Sequence, residues 1–257
     1  MIRFFRIWNN QRNTGTMLTV EKLKNGAMKL DIHLKPLQLG QFEIYYHKII
    51  DWNKRINLTR ITEYEDVQVK HFLDSLTVTA AVDFNRKSLK VIDVGTGAGL
   101  PGIPLKIVFP EIRLTLIEAT IKKTKFLEEV VTNLDLREVE VIPGRAETAA
   151  HDVRYREKFD VVVSRALAPL PALVELTLPF CNVGGYCIAQ KKGNIEKEIE
   201  QSKKAVEVMG GRLLRIHKVE LKEFDDNRSL VIIDKIKATP VEYPRMPGMP
   251  EKRPIIS

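Results

Sequence analysis

The chain is predicted to be an α/β protein, with a mostly parallel seven-stranded sheet that ends in an antiparallel hairpin and a helical extension before it. Three observations carry this reading. From Leu89 onward, short apolar runs alternate with helical periods, the pattern of strands joined by crossover helices. The first run, Val91-Ile92-Asp93-Val94, leads into a tight turn, Gly95-Thr96-Gly97-Ala98-Gly99-Leu100-Pro101-Gly102. The last two strand candidates follow one another with no helix between them, so they pair as a hairpin.

Strands are expected at 89–94, 112–118, 138–142, 159–163, 185–190, 212–219 and 229–236, and crossover helices near 103–109, 121–133, 168–178 and 194–209. In the second crossover helix, Phe126, Leu127, Val130 and Val131 recur at helical spacing, while Lys122, Lys123, Glu128 and Glu129 face outward. Before the sheet, residues 35–60 read as a helix with a stripe of Leu37, Phe42, Tyr45, Tyr46, Ile49, Ile50 and Trp52. A second helix is expected at 66–80, with Val69, Phe72, Leu73 and Leu76 inward. The expected organisation is a basic extension (1–34), a helical region (35–84) that packs on the core, the α/β domain (85–238) and a Pro-rich tail (239–257). The tail carries Pro240, Pro244, Pro247, Pro250 and Pro254, which favours either a disordered end or an extended strap over the fold.

Composition narrows the class. The 257 residues are 44% hydrophobic and 29% charged, enough to bury a substantial core in one medium domain with appendages. No apolar run reaches the length of a membrane span. The two cysteines, Cys181 and Cys187, are too far apart for a metal knuckle and have no second Cys/His pair, so no metal is expected. A reducing, cytoplasmic setting suits them. The net charge is +8, and residues 1–35 hold Arg3, Arg6, Arg12, Lys22, Lys24, Lys29 and Lys35 against only Glu21 and Asp31. Such a balance favours a polyanionic partner without naming it, and a generic basic surface fits it too. The N-terminal stretch lacks the continuous apolar core of a secretory signal. An amphipathic transit-type peptide and a working start at Met17 are both compatible with it.

The glycine turn points to the ligand. A dinucleotide fingerprint places glycine first, third and sixth, whereas here Leu100 is sixth from Gly95 and Gly99 is fifth. A phosphate-binding P-loop ends in Gly-Lys-Ser/Thr, where this chain has Leu100-Pro101. Asp93 followed by Gly95, Gly97 and Gly99 suits a cofactor without a pyrophosphate, with S-adenosylmethionine as the leading candidate. In an open parallel sheet, ligands collect beyond the carboxyl ends of the strands. Glu118, ending the second strand, is placed to accept from both ribose hydroxyls of an adenosine. After the third strand, the Ala146 backbone and the Glu147 side chain either meet the adenine edge or form a helix's first turn. Arg165, at the end of a buried strand, requires an anion or a carbonyl: cofactor, substrate phosphate or a structural ion pair. Arg145, Lys191 and Lys192 are candidates for nucleic-acid phosphate.

No nucleophile–base relay is visible. Ser164 has no histidine near it in sequence, and of the five histidines only His71, in Lys70-His71-Phe72-Leu73-Asp74-Ser75-Leu76, sits in a suggestive setting. Methyl transfer to guanine N7 is compatible with this, because that atom already has an accessible lone pair and needs placement rather than deprotonation.

Together these residues resemble the bacterial 16S ribosomal RNA guanine-N7 methyltransferase family, RsmG, also called glucose-inhibited division protein B. The resemblance spans about residues 35–256. It rests on Trp52-Asn53-Lys54-Arg55-Ile56-Asn57-Leu58-Thr59, His71-Phe72-Leu73-Asp74-Ser75-Leu76 and the turn from Asp93 to Pro104. It continues through Lys122-Lys123, Phe126-Leu127, Gly144-Arg145-Ala146-Glu147, Ser164-Arg165-Ala166 and Tyr243-Pro244-Arg245. It implies a Rossmann-like class I S-adenosylmethionine-dependent methyltransferase, cytoplasmic, that releases S-adenosylhomocysteine; a monomer is expected. The implied substrate is one guanine of small-subunit ribosomal RNA, free or in a 30S particle. Cofactor positions then fall on Gly95, Leu100, Glu118, Ala119, Thr120, Ala146, Glu147 and Arg165, and RNA or phosphate positions on Arg145, Arg165 and Lys192. Three departures stand out: the long basic start, the doubled Lys191-Lys192 and a long spacer in which His151–Arg156 reads as a surface insertion. A small-molecule or protein methyltransferase, and a non-catalytic RNA-binding protein, are the competing functions on the same scaffold.

Overall fold

The computed structural model describes residues 20–256. The aromatic-basic stretch before Val20, with its transit-peptide and Met17 readings, lies outside the described residues. Seven strands form one sheet: β1 (Lys90–Val94), β2 (Arg113–Glu118), β3 (Val139–Pro143), β4 (Phe159–Arg165), β5 (Cys181–Lys192), β6 (Gly211–Val219) and β7 (Arg228–Lys235). Their order is β3-β2-β1-β4-β5-β7-β6. The first five strands pair in parallel, and β7 runs antiparallel between β5 and β6. The expected hairpin is present, with its second strand inserted against β5. The chain order reverses direction between β1 and β4, which opens a crevice at their carboxyl ends.

The helices are α1 (Glu21–Met28), α2 (Pro36–Asn53), α3 (Tyr64–Val67), α4 (Asp74–Leu76), α5 (Gly102–Val108), α6 (Ile121–Asn133), α7 (Ala146–Ala149), α8 (Leu170–Thr177), α9 (Glu196–Val208) and α10 (Met249–Lys252). A π-helical turn, Gln68–Leu73, joins α3 to α4, and a 3-10 turn, Thr77–Ala80, follows. Helix α2 begins where Pro36 fixes the first helical φ and Gln38 Oε1 accepts from the Lys35 N–H at 2.8 Å. It ends at Asn53 rather than continuing to residue 60, because the Asn53 side chain accepts from the Leu58 and Thr59 N–H groups and closes a loop. Leu37, expected inward, faces solvent.

Strand alternation sends residues to two separate cores. Val91, Leu116, Val161, Val163, Ile188 and Ile232 face the layer of α2, α5, α6 and the π-helical turn. Ile92, Val94, Ile117, Val162, Ala189 and Ile233 face α8 and α9. Each fully buried aliphatic side chain stabilises the fold by about 1.5–3 kcal/mol. Strand lengths differ from expectation: β4 extends past residue 163 to end on Arg165, and β5 spans Cys181–Lys192 rather than 185–190, so Lys191 and Lys192 belong to the strand rather than follow it. The Pro-rich tail is an ordered strap. The apparent insertion before β4 is its dock: Tyr155 is buried, and Arg156 donates to the carbonyls of Thr239, Pro240 and Tyr243.

Candidate active site

The glycine turn sits at the crevice between β1 and β4. The N–H groups of Gly95 and Thr96 both donate to the Ile117 carbonyl at 3.0 Å, which pins the turn to the end of β2. Asp93 is fully buried, and its Oδ2 accepts from Thr96 Oγ1 at 2.6 Å and Gly102 N–H at 2.8 Å. Burial pushes its carboxyl up to about 6 against those two hydrogen bonds. Gly97 has φ +60°, and a Cβ built there meets nothing within 4 Å, so the turn's outer face is open. At Gly95 (φ +69°), a Cβ would strike Leu167, which reaches over the turn from the β4–α8 loop.

Glu118 ties the turn to its neighbour. One oxygen accepts from the Gly97 N–H at 3.0 Å, and the other from the Thr120 N–H at 2.8 Å. Its backbone carbonyl accepts from the Gly144 N–H, which brings the β3–α7 corner alongside. Ala119 and Thr120 are exposed there, at the mouth of the crevice. Glu147 lies in the first turn of α7, buried, and one of its oxygens accepts from both Arg145 Nη2 and the Gly248 N–H at 2.8 Å. Burial works to raise its carboxyl, yet these bonds hold it below the usual range. Its side chain is thus committed to Arg145 and the strap, while the Ala146 backbone stays at the corner.

The basic candidates separate by environment. Arg165 Nη1 donates to Asp74 Oδ2 at 2.7 Å and to the Lys70 carbonyl at 3.2 Å. Asp74 is also paired with Arg228, whose Nε donates to Asp226 at 2.6 Å. Asp226 in turn accepts from Lys192 at 2.8 Å. An alternating chain of charges therefore runs from Arg165 to Lys192. Lys192 is 54% exposed, whereas Lys191 is 11% exposed and pinned by Glu198 and the Ala168 carbonyl. Ser164 donates to the Val94 carbonyl and serves the backbone.

Four contributors were not singled out from sequence. Tyr45 donates from α2 to the Ala98 carbonyl in the turn and stacks on Phe72 at 5.2 Å. Arg228, Asp226 and Gly248 complete the contacts above. An aromatic at α2's core position and the Asp226-Asn227-Arg228 start of β7 were the only signals. Among the described residues, no group of three His, Cys, Asp or Glu converges as a metal site.

A parallel sheet with one antiparallel strand, an open glycine turn at its topological switch point and an acidic residue ending β2 define a class I S-adenosylmethionine-dependent methyltransferase. Solved structures bear out the fold. The chain aligns with MtNAS in complex with MTA and tNA at TM-score 0.52 and 16% identity, covering 85% of this chain and 76% of that one. It aligns with the StiE O-MT at TM-score 0.51 and 15% identity, covering 66% and 75%. A family profile described as GidB, rRNA small subunit methyltransferase G, matches residues 38–231. Ribosomal RNA small subunit methyltransferase G of Dehalococcoides mccartyi strain CBDB1 is 52% identical over 237 residues, 92% of this chain and 100% of the relative. The protein of that name from Alkaliphilus metalliredigens is 45% identical over 233 residues, covering 91% and 97%. The chain belongs to this family of S-adenosylmethionine-dependent 16S ribosomal RNA guanine-N7 methyltransferases.

Proposed function

We propose that the crevice over Gly95–Gly99 holds S-adenosylmethionine beside a guanine whose flanking phosphates meet Arg165, Lys192 and Arg145. The open face at Gly97, next to Glu118 and at the sheet's switch point, is the observation that carries this reading. When bound, S-adenosylmethionine supplies an electrophilic methyl group on a sulfonium centre. Glu118 has lone pairs left on both oxygens for the ribose hydroxyls. Asp93 acts one step back, holding Thr96 and Gly102 so that Gly97, Gly99 and Leu100 keep their shape. Ala119, Thr120 and the Ala146 backbone border the adenine.

Guanine N7 brings its own lone pair, so catalysis rests on in-line placement rather than on a base. His71 agrees with this. Burial, aided by Arg165, pushes it down to about 4, and its Nε2 is engaged by Thr59 Oγ1 at 2.7 Å. The guanidinium of Arg165 offers further donors to an RNA phosphate beside the crevice. The protein acts as a cytoplasmic monomer on small-subunit RNA or the 30S particle. No helix among the described residues is long and apolar enough to cross a membrane.

Mass mapping of small-subunit RNA incubated with protein and S-adenosylmethionine should show one new N7-methylguanine. Gly97→Asp, which sets a second carboxylate beside Glu118, should abolish cofactor heat in calorimetry while the far-ultraviolet spectrum stays native. Unaltered cofactor binding by that variant would refute the placement.

A further inference from the structure

We propose that the loop Asn53–Arg60, between α2 and α3, is an RNA-phosphate docking surface built beside Arg165. This rests on the function proposed above and adds to it a site on a different element of the fold.

The loop is built by side-chain latches rather than left as a free connection. Asn53 Oδ1 accepts from the Leu58 N–H at 2.9 Å and the Thr59 N–H at 3.0 Å. Thr59 Oγ1 accepts from the Ile61 N–H at 3.0 Å and bonds His71 Nε2 at 2.7 Å. His71 directly follows Lys70, whose carbonyl holds Arg165 Nη1. Two side-chain latches thus fix the loop within reach of the strand end at the crevice. Because burial keeps His71 uncharged near neutrality, the latch adds no charge of its own there.

What the loop presents is cationic and polar. Lys54, Arg55, Asn57 and Arg60 are all exposed. Arg55 leans on Asp51 and lies over the Trp52 ring, which holds it on the α2 end of the loop. Arg60 makes no ion pair or side-chain hydrogen bond among the described residues, and the loop itself contains no carboxylate. A rigid cationic turn with free donors, next to a site that takes one base of an RNA, fits the phosphates flanking that base. Arg60 is the principal contact, with Lys54, exposed and only loosely paired to Asp51 at 3.9 Å, in support. The alternative is an ordinary solvated loop, which the Thr59–His71 bond would simply brace.

The test uses the full-length protein, unmethylated 30S particles and S-adenosylmethionine. Arg60→Ala should raise KM for the particle roughly threefold to tenfold and lower the salt slope of binding by about 0.7–0.9. Lys54→Ala should act in the same direction. Cofactor affinity by calorimetry and thermal midpoint should match the parent. Lys203→Ala removes one charge from α9, on the other face of the sheet, and should leave the slope unchanged. An unchanged KM and slope in Arg60→Ala overturns the proposal, as does an equal effect in Lys203→Ala. Weakened cofactor binding in Arg60→Ala also overturns it, by assigning the loop to the cofactor. A parent protein that fails to methylate the particle refutes the functional reading as well, which separates the two failures.

Discussion

Arg165 and Asp74 are joined by a 2.7 Å ion pair that ties the end of β4 to the helix following the π-helical turn. Asp74 is buried and answers a second guanidinium, Arg228, which is itself buried and stacks on Phe224 at 4.2 Å. One carboxylate therefore bridges two guanidinium groups, of which Arg228 has a second carboxylate in Asp226. Removing it should be severe, because breaking a buried pair strands the partner charge. Asp74→Asn is expected to lose on the order of 3 kcal/mol of stability, with a larger fall in kcat than in particle affinity. Chemical denaturation and single-turnover methylation measure the two. Stability within about 0.5 kcal/mol of the parent would mean that the pair is not holding this edge together.

Arg165→Ala should behave differently. Arg228 keeps Asp74 paired, so the loss of stability is smaller than in Asp74→Asn, while the group beside the crevice is gone. Methyl transfer should drop by at least tenfold, about 1.4 kcal/mol in the barrier. Equal turnover by variant and parent at limiting cofactor and RNA would remove Arg165 from the active site.

The doubled lysine, ambiguous as a sequence, becomes a clean comparison. Lys192 reaches solvent at the end of the charge chain, whereas Lys191 is nearly covered and bound to Glu198. Lys192→Ala should lower the salt slope for RNA by somewhat under one unit with little change in thermal midpoint. Lys191→Ala should instead lower the midpoint and leave the slope alone. The reverse pattern would exchange their roles.

Much of this architecture is legible in the sequence alone. Strands such as Val91–Val94 and Val161–Val163 announce themselves as short apolar runs, because a parallel strand covered on both faces is mostly apolar, with Asp93 the buried exception that holds the turn. The turn at Gly95–Gly99 is equally plain, since only glycine combines left-handed backbone with close approach. The mid-chain partners were not visible. Nothing in Asp74 or Arg228 marks them as counter-ions in the sequence, because their pairing exists only after β7 inserts beside β5. Glu147 lies in a helix's first turn, one of the two placements its sequence allows, but its partner is hidden for the same reason. Its partner Gly248 lies in a tail whose path depends on Arg156 and Glu175, not on its own propensities.

Two buried groups give opposed pH dependences. Burial raises Asp93 to about 6, above its unfolded value of about 3.9, so its contribution is present below pH 4 and lost as pH rises through 6. Burial lowers His71 to about 4 from about 6.5 in the unfolded chain, so its contribution is present above pH 6.5 and lost as pH falls toward 4. The two slopes largely cancel between pH 4 and 6. His71→Gln should uncover the Asp93 slope, so that the variant gains on the parent steadily from pH 6.5 down to pH 4. Thermal midpoints across that range decide it, and parallel curves would show that His71 titrates normally.

The strap is latched to the core through Arg245. Arg245 donates its Nε, its Nη2 and its backbone N–H to Glu175, which is 0% exposed beneath it. Three residues later, the Gly248 N–H donates to Glu147 at the β3–α7 corner. The latch on Glu175 therefore sets the position of a donor at the proposed cofactor site. Arg245→Met leaves Glu175 with only the backbone N–H, and should lower stability by on the order of 3 kcal/mol. It should also weaken S-adenosylmethionine binding severalfold, because Glu147 is left to Arg145 alone. RNA salt slope should not change, since Arg245 is committed to Glu175 and the Arg253 carbonyl. Calorimetry at a temperature well below the variant's midpoint separates the two effects: parental cofactor affinity there would reduce the strap to a stabilising brace with no part in the site.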